Sequence, residues 1–371
     1  MKYHFQFFGV GLALFNVAFN VYGASWLLRR LKPAPRARLF LVEGALLLSA
    51  FFAGARVVTT GHAGIFWDAL LWLSYFGFGA SFIIAWVLLV CDLGLAVLKA
   101  LGAGWAVRRG AALAALAAAL GLVCLAAWHG SENPPVKRVE IAIKGLPKAL
   151  DGFTIVQISD IHLGRLIKAG RLAKIAGTIN ALKPDLVVLT GDFSESREPM
   201  PEGTCEILKG MYARYGKDAV LGNHDMFTGG SGETAFFESC GVKVLRGQAY
   251  EPVPGLVVAG VDDLHQRNMA ALGKLAVSLD RSKPLIFLSH QPQGFDEITA
   301  SGNGLVLCGH THAGQIFPFG PLERHLFKYF YGLYKENGFS IYITSGAGTW
   351  GPPLRLFADP ELPLFVLHAQ N

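Results

Sequence analysis

Five short apolar runs in the last two thirds of the chain each stop at residues that bind metals or protons. The run at 152–159 (GFTIVQIS) ends in Asp160-Ile161-His162, and 185–190 (DLVVLT) ends in Gly191-Asp192. The run at 218–221 (DAVL) ends in Gly222-Asn223-His224-Asp225, 284–289 (PLIFLS) in His290, and 304–308 (GLVLC) in Gly309-His310-Thr311-His312. Runs of this length and composition read as buried strands. Between the first two, 165–182 repeats Leu, Ile and Ala at helical spacing. Strand–helix alternation predicts an α/β or α+β sheet core. Ligands gather beyond the carboxyl ends of strands in such sheets, so the tips are expected to converge on one rim.

The tips offer carboxylate, amide oxygen and imidazole: Asp160, His162, Asp192, Asn223, His290, His310 and His312. Seven such donors with one shared carboxylate suit two divalent ions. Two ions about 3.5–4 Å apart clamp an in-line displacement at phosphorus. No thiolate is among them, which favours Mn²⁺, with Fe or Zn²⁺ as alternatives, in phosphate chemistry over a structural zinc site. A serine-hydrolase reading lacks a Gly-x-Ser-x-Gly elbow, and no P-loop is present.

The first third is of another kind. The chain is 52% hydrophobic and 16% charged, and residues 1–130 hold ten Lys/Arg against three Asp/Glu. The remainder is near neutral, with 23 against 24. Apolar stretches at 5–28, 39–58, 67–98 and 111–128 each approach the roughly 20 residues needed to cross a bilayer. The first runs into Arg29-Arg30 without a convincing cleavage site and is read as a retained anchor. Basic residues sit in short clusters between these stretches, which points to membrane topology rather than nucleic acid. With 29–38 and 99–110 cytoplasmic, both chain ends and the globular domain lie outside the cell membrane. Glu43, inside the second stretch, is expected to face other helices. The domains expected are a transmembrane region at 1–130, a linker and first strand at 131–150, and a catalytic domain at 151–371.

The motifs Asp-Ile-His, Gly-Asp, Gly-Asn-His-Asp, a lone strand-end His and Gly-His-Thr-His, in this order, resemble the calcineurin-like metallophosphoesterases. The resemblance covers roughly 150–371. "GHTHAGQI" and "YITSGAGTWGPPLRLFADPEL" are most similar to the membrane-associated bacterial branch of YkuE/YaeI type. It implies a four-layer αββα sandwich. It also implies that Asp160, His162 and His312 hold one metal, that Asn223, His290 and His310 hold the other, and that Asp192 bridges them. A metal-bridging hydroxide is the implied nucleophile. His224 would stabilise the transition state or protonate the leaving oxygen, with Asp225 orienting its ring. Many relatives read Gly-Asp-x-x-Asp or Gly-Asp-x-x-Asn at the second motif where this chain reads "GDFSES", which touches only the tuning around the metals.

Several segments stay open. Arg165, Lys168 and Arg171 fall along one helical face and either are solvated or attract an anionic headgroup. The aromatic run 325–338 is a helix packed on the sheet or a rim dipping into the bilayer interface. His265, beside an acidic pair, is structural or a substrate contact. Cys205 and Cys240 could pair, but are read as two free thiols. The function expected is hydrolysis of a lipid or lipid-linked phosphoester at the membrane. The alternatives are a soluble nucleotide or other small phosphoester, UDP-2,3-diacylglucosamine if the domain is cytoplasmic, and a metal-binding interaction protein without turnover.

Overall fold

The computed structural model describes residues 2–195, 198–263 and 269–370. It divides into two units, Met1–Ser131 with Gly351–Leu356, and Glu132–Trp350 with Phe357–Asn371.

The first unit holds helices α1 (Lys2–Leu31), α2 (Pro35–Val58), α3 (Ile65–Ala100) and α4 (Trp105–Ser131). Each is long and apolar enough to cross a membrane. All four outrun the apolar stretches of the sequence, so Arg108 and Arg109 lie near the start of α4 rather than in a loop. At 36 residues, α3 is about 54 Å long by helical rise, well beyond the ~30 Å hydrocarbon layer.

The interior of this unit is partly polar. Asn20 donates to Asn16 and to Ser49, and accepts from Ser81, so its amide joins α1, α2 and α3. Asp92 of α3 accepts two bonds from Arg30 and one from Tyr22. Interhelical hydrogen bonds of this kind replace the driving force that lipid cannot supply between apolar helices. Glu43 is exposed on α2 rather than packed among helices. It lies eight residues beyond Pro35, about 12 Å along the axis, close enough to the helix start for its side chain to reach toward headgroups. Segment 351–356 packs on α3 at Gly79, where a side chain would strike Pro352 and Leu354. Its Arg355 amide donates to the Ala126 carbonyl of α4.

The second unit has two six-stranded mixed sheets. The first contains β1 (Val136–Lys144), β12 (Leu362–Gln370), β2 (Thr154–Ile158), β3 (Leu186–Thr190), β4 (Lys217–Val220) and β5 (Lys243–Val244), in that order. The second runs β10 (Gly332–Glu336), β11 (Phe339–Ile343), β9 (Gly304–Cys308), β8 (Leu285–Leu288), β7 (Leu256–Gly260) and β6 (Gln248–Val253). Strands β2, β3 and β4 are parallel neighbours, as are β7, β8 and β9.

Alternation within the apolar runs builds three cores. Ile155, Leu186 and Val188 meet Ile286, Leu305 and Leu307 between the sheets. Val156, Val187 and Leu189 face away, toward α5 (Ala169–Leu182), α6 (Thr204–Gly210) and α7 (Ser231–Ser239). Phe287 and Val306 face the other way, toward α8 (Met269–Ser278) and α9 (Asp296–Thr299). The result is the four-layer αββα arrangement, and burial on both faces explains why these strands read as unbroken apolar runs. A short α10 (Phe319–Glu323) follows the Gly-His-Thr-His turn.

Polar side chains enter the inter-sheet core near the strand ends. Gln157 of β2 donates to the Thr190 hydroxyl and to the Cys308 carbonyl. It therefore ties the end of β9 in one sheet to β2 and β3 in the other, directly beneath the strand tips.

Two sequence expectations are corrected here. Cys205 and Cys240 form a disulfide joining α6 to the end of α7. The two helices pack on one face of the first sheet, which brings together thiols 35 residues apart. The aromatic run 325–338 is neither a packed helix nor an aromatic rim. Tyr329 and Phe330 are buried, and 332–336 form edge strand β10. Only Leu326, of its large apolar side chains before that strand, is exposed.

Candidate metal centre

All five apolar runs end on one rim. Asp160 and His162 follow β2, Asp192 follows β3, Asn223 and His224 follow β4, His290 follows β8, and His310 and His312 follow β9. Backbone geometry at the tips is unusual. Asp160, His162, Asp192, His310 and His312 all have φ between 49° and 75°. Non-glycine residues in this region cost about 1–3 kcal/mol each and persist where the surroundings fix them. The motif glycines make room for the donors. A Cβ on Gly222 would lie 2.2 Å from Asp192 Oδ1, and one on Gly309 would lie 2.1 Å from Asp160 Oδ2.

The donors fall into two adjoining groups, Asp160–His162–His312 and Asp192–His290–His310, each with its donor atoms within 4.8 Å of one another. In the first, His162 Nε2 and His312 Nε2 are 3.1 Å apart, and His312 Nε2 is 3.5 Å from Asp160 Oδ1. In the second, His290 Nε2 lies 3.1 Å from Asn223 Oδ1, 3.2 Å from His310 Nδ1 and 3.2 Å from Asp192 Oδ2. The other nitrogen of His290, Nδ1, faces the Thr190 carbonyl at 2.9 Å and must donate to it. That bond turns Nε2 into the cage, the usual arrangement behind a metal-binding histidine.

Asp192 stands between the groups. Its Oδ1 accepts the His224 amide at 2.9 Å. Its Oδ2 faces His290 Nε2 at 3.2 Å and His162 Nε2 at 3.8 Å. The carboxylate and imidazole donors thus converge in two adjoining groups, most of them buried. The carboxylate, amide and imidazole set fits two borderline-to-hard divalent cations.

Electrostatics at the site agree. Burial pulls His290 down, but the Asp192 charge and hydrogen bond outweigh it and hold the imidazole up at about 10. Burial and the neighbouring His290 charge push His310 down to about 3. Burial alone would raise Asp192, yet the His290 charge holds its carboxyl well below the usual range. A proton on His290 thus occupies the place of positive charge that the carboxylates demand, and a cation competes with it.

His224 sits beside the first group, its ring 4.8 Å from that of His162. Its Nδ1 bonds Glu195 Oε1 at 2.9 Å, and Glu195 Oε2 lies 3.2 Å from His162 Nδ1. Burial would raise Glu195, but hydrogen bonds from His162 and His224 hold it at about 2. Burial pulls His224 down, and the Glu195 bond with the Asp192 and Glu195 charges hold it up at about 9.

This corrects the role given to Asp225. Its buried carboxylate accepts from the amides of Phe193, Ser194 and Gly222 and from the Ser194 hydroxyl. Those bonds fasten the β3 and β4 loops to each other, and Glu195 takes the ring nitrogen instead. Its signal in the sequence was "GDFSES", the departure from the Gly-Asp-x-x-Asp or Gly-Asp-x-x-Asn pattern that the resemblance implies.

The proposed basic face also changes. The helix begins only at Ala169, so Arg165 and Lys168 lie in the preceding loop. Arg171 donates through Nε and Nη2 to the Ala347 carbonyl, anchoring the 346–348 loop. The shared helical face does not exist. His265 lies outside the described residues.

Comparison with known proteins agrees with this geometry. The family model for calcineurin-like phosphoesterases matches residues 153–314. A "transmembrane protein with metallophosphoesterase domain" of Danio rerio is 32% identical over 271 residues, covering 69% of this chain and 61% of that one. The chain therefore spans less than two thirds of that relative. An uncharacterized metallophosphoesterase of Aquifex aeolicus is 32% identical over 244 residues, 64% of this chain and 92% of its own. The uncharacterized metallophosphoesterase YkuE of Bacillus subtilis is 34% identical over 252 residues, 64% of this chain and 87% of its own. With the match running nearly the full length of these last two, the chain belongs to the calcineurin-like metallophosphoesterase family.

Proposed function

We propose that the protein is a membrane-anchored, metal-dependent phosphoesterase acting on a lipid or lipid-linked phosphoester. The observation that carries the reading is the pair of donor groups meeting at Asp192, with His224 at their edge. In this reading Asp160, His162 and His312 hold one divalent ion, Asn223, His290 and His310 the other, and Asp192 contributes to both. Bound divalent ions supply Lewis acidity toward phosphoryl oxygens and bring the pKa of water near 7. The chain's own residues do the rest. Thr190 fixes His290 through its Nδ1. Glu195 holds His162 and His224 together. His224, protonated below about pH 9, delivers a proton to the departing oxygen.

Two features support a lipid substrate. Four apolar helices belong to the same chain. Phe319 and Leu322 on α10, and Leu326 in the turn beyond it, are exposed after the Gly-His-Thr-His turn, and Phe357 is exposed beside Phe317. Exposed apolar side chains in such a group mark an interaction surface. A screen of phosphoesters with Mn²⁺ and the full-length protein should show faster hydrolysis of phospholipid in mixed micelles than of water-soluble diesters. Equal rates would move the assignment to a soluble phosphoester.

We also place the catalytic domain outside the cytoplasm. The positive charges at 29–38 support this, as does the Cys205–Cys240 disulfide, which belongs to oxidising compartments. A phosphatase reporter fused after Asn371 is expected to be active outside and silent inside. Cytoplasmic activity would reverse the topology and restore UDP-2,3-diacylglucosamine as a substrate.

A further inference from the structure

Trp350 stands next to His224, with ring centroids 6.0 Å apart at 73°. Trp350 is 39% exposed, although the loop carrying it is held at several points. Gln315, three residues past His312, clasps the Trp350 backbone from both sides: its Nε2 donates to the Trp350 carbonyl at 2.9 Å, and its Oε1 accepts the Trp350 amide at 2.7 Å. Upstream, the Ala347 amide bonds the Ser159 carbonyl and the Gly348 amide bonds the Asp160 carbonyl. Arg171 holds Ala347 from the other side. The loop is thus pinned to the same strand end that presents Asp160. A large aromatic surface is fixed in place, half open to solvent, beside the group that meets the leaving oxygen.

We propose that Trp350 is a specificity-determining residue that receives the leaving alcohol, and that this alcohol carries a ring with a flat apolar face. This deepens the phosphoesterase reading and rests on it. During hydrolysis, water forms the new bond to phosphorus and the bond from phosphorus to the ring alcohol breaks. The His224 proton passes to the departing oxygen, and the proton lost by water restores His224. A rigid ring presents a continuous face of C–H groups to the indole and has little conformational freedom to lose on binding, and the contact falls on the part of the substrate nearest His224. A short, flexible alcohol such as glycerol gains nothing from the indole.

The test pairs substrates that differ only in that alcohol. In mixed micelles these are phosphatidylinositol and phosphatidylglycerol; in solution, glycerophosphoinositol and glycerophosphoglycerol. The full-length wild-type protein with Mn²⁺ is expected to favour the inositol member of a pair by about tenfold in kcat/KM. A preference seen only in micelles assigns the ring to a lipid headgroup; one seen in solution as well assigns it to a free phosphoester. Trp350→Leu should erase the preference by bringing the inositol member down to the level of the glycerol member, and Trp350→Phe should keep part of it. The clasp uses backbone atoms of Trp350, so both variants retain it. Calorimetric binding of inositol 1-phosphate against glycerol 3-phosphate gives a readout without turnover, with the same tenfold difference lost in Trp350→Leu. A preference that survives Trp350→Leu, or no preference in the wild type, overturns the assignment. If neither ester is hydrolysed, the phosphoesterase reading fails, and the calorimetric comparison alone decides the role of Trp350.

Discussion

Asp192→Asn is expected to leave the fold intact and to remove both bound metal and activity. The substitution is isosteric, so it does not crowd Gly222, whose backbone approaches this side chain closely. An amide oxygen in the Oδ1 position still accepts the His224 amide. The change falls on the other atom. Oδ2, between His290 Nε2 and His162 Nε2, becomes an NH₂ group that aims donors into both cages. Positive charge there is then opposed rather than attracted. Loss of one such charge-stabilising group costs at least about 10²–10³ in rate. Metal content by mass spectrometry should fall from two ions per chain. An Asn variant that keeps two ions and the wild-type rate would remove Asp192 from the centre of the site.

His224→Gln is expected to separate metal binding from proton delivery. His224 donates no atom to either metal group in the proposed assignment, so the variant should retain its metals. Its rate on a substrate with an ordinary alcohol leaving group should drop by about 10²–10⁴, the range for losing a positioned acid. A p-nitrophenyl ester, whose leaving oxygen needs no proton, should lose much less. The pH profile adds a second readout. An acid acts in its protonated form, so wild-type kcat/KM falls as pH rises through the His224 pKa. The protein's own groups hold that pKa at about 9, and bound cations would lower it, so the falling limb lies at or below pH 9. In His224→Gln this limb should vanish. Glu195→Gln, which weakens the hold on the His224 proton, should shift the limb to lower pH. Equal losses on both esters, or an unchanged limb, would assign His224 a structural role.

The donors were readable in the sequence for a physical reason. A strand buried on both faces is an apolar run, and such a run stops where the chain leaves the sheet. Asp160, Asp192 and His290 therefore announce themselves as the first polar residues past the run. What was not readable depends on contacts between distant segments. Nothing near Cys205 marks Cys240 as its partner, because only the packing of α6 and α7 on one sheet face brings them together. Arg171 looks like one of three basic residues on a helix, until the helix is seen to begin at Ala169 and the 346–348 loop to arrive beside it. The error over Asp225 came from adjacency: it follows His224 in the chain, but its carboxylate turns to the Phe193 and Ser194 amides. The clustering of 351–356 with the helices has no local mark at all.

The left-handed backbone at Asp160, His162, Asp192, His310 and His312 bears on how this rim can change over generations. Glycine would sit there with less strain than the residues present. Selection for stability alone would therefore erode these positions in one direction, toward glycine, and only the need for their side chains opposes it. A descendant that abandoned its chemistry should betray itself by glycines at the strand tips and a higher melting temperature, with the sandwich beneath them unaltered.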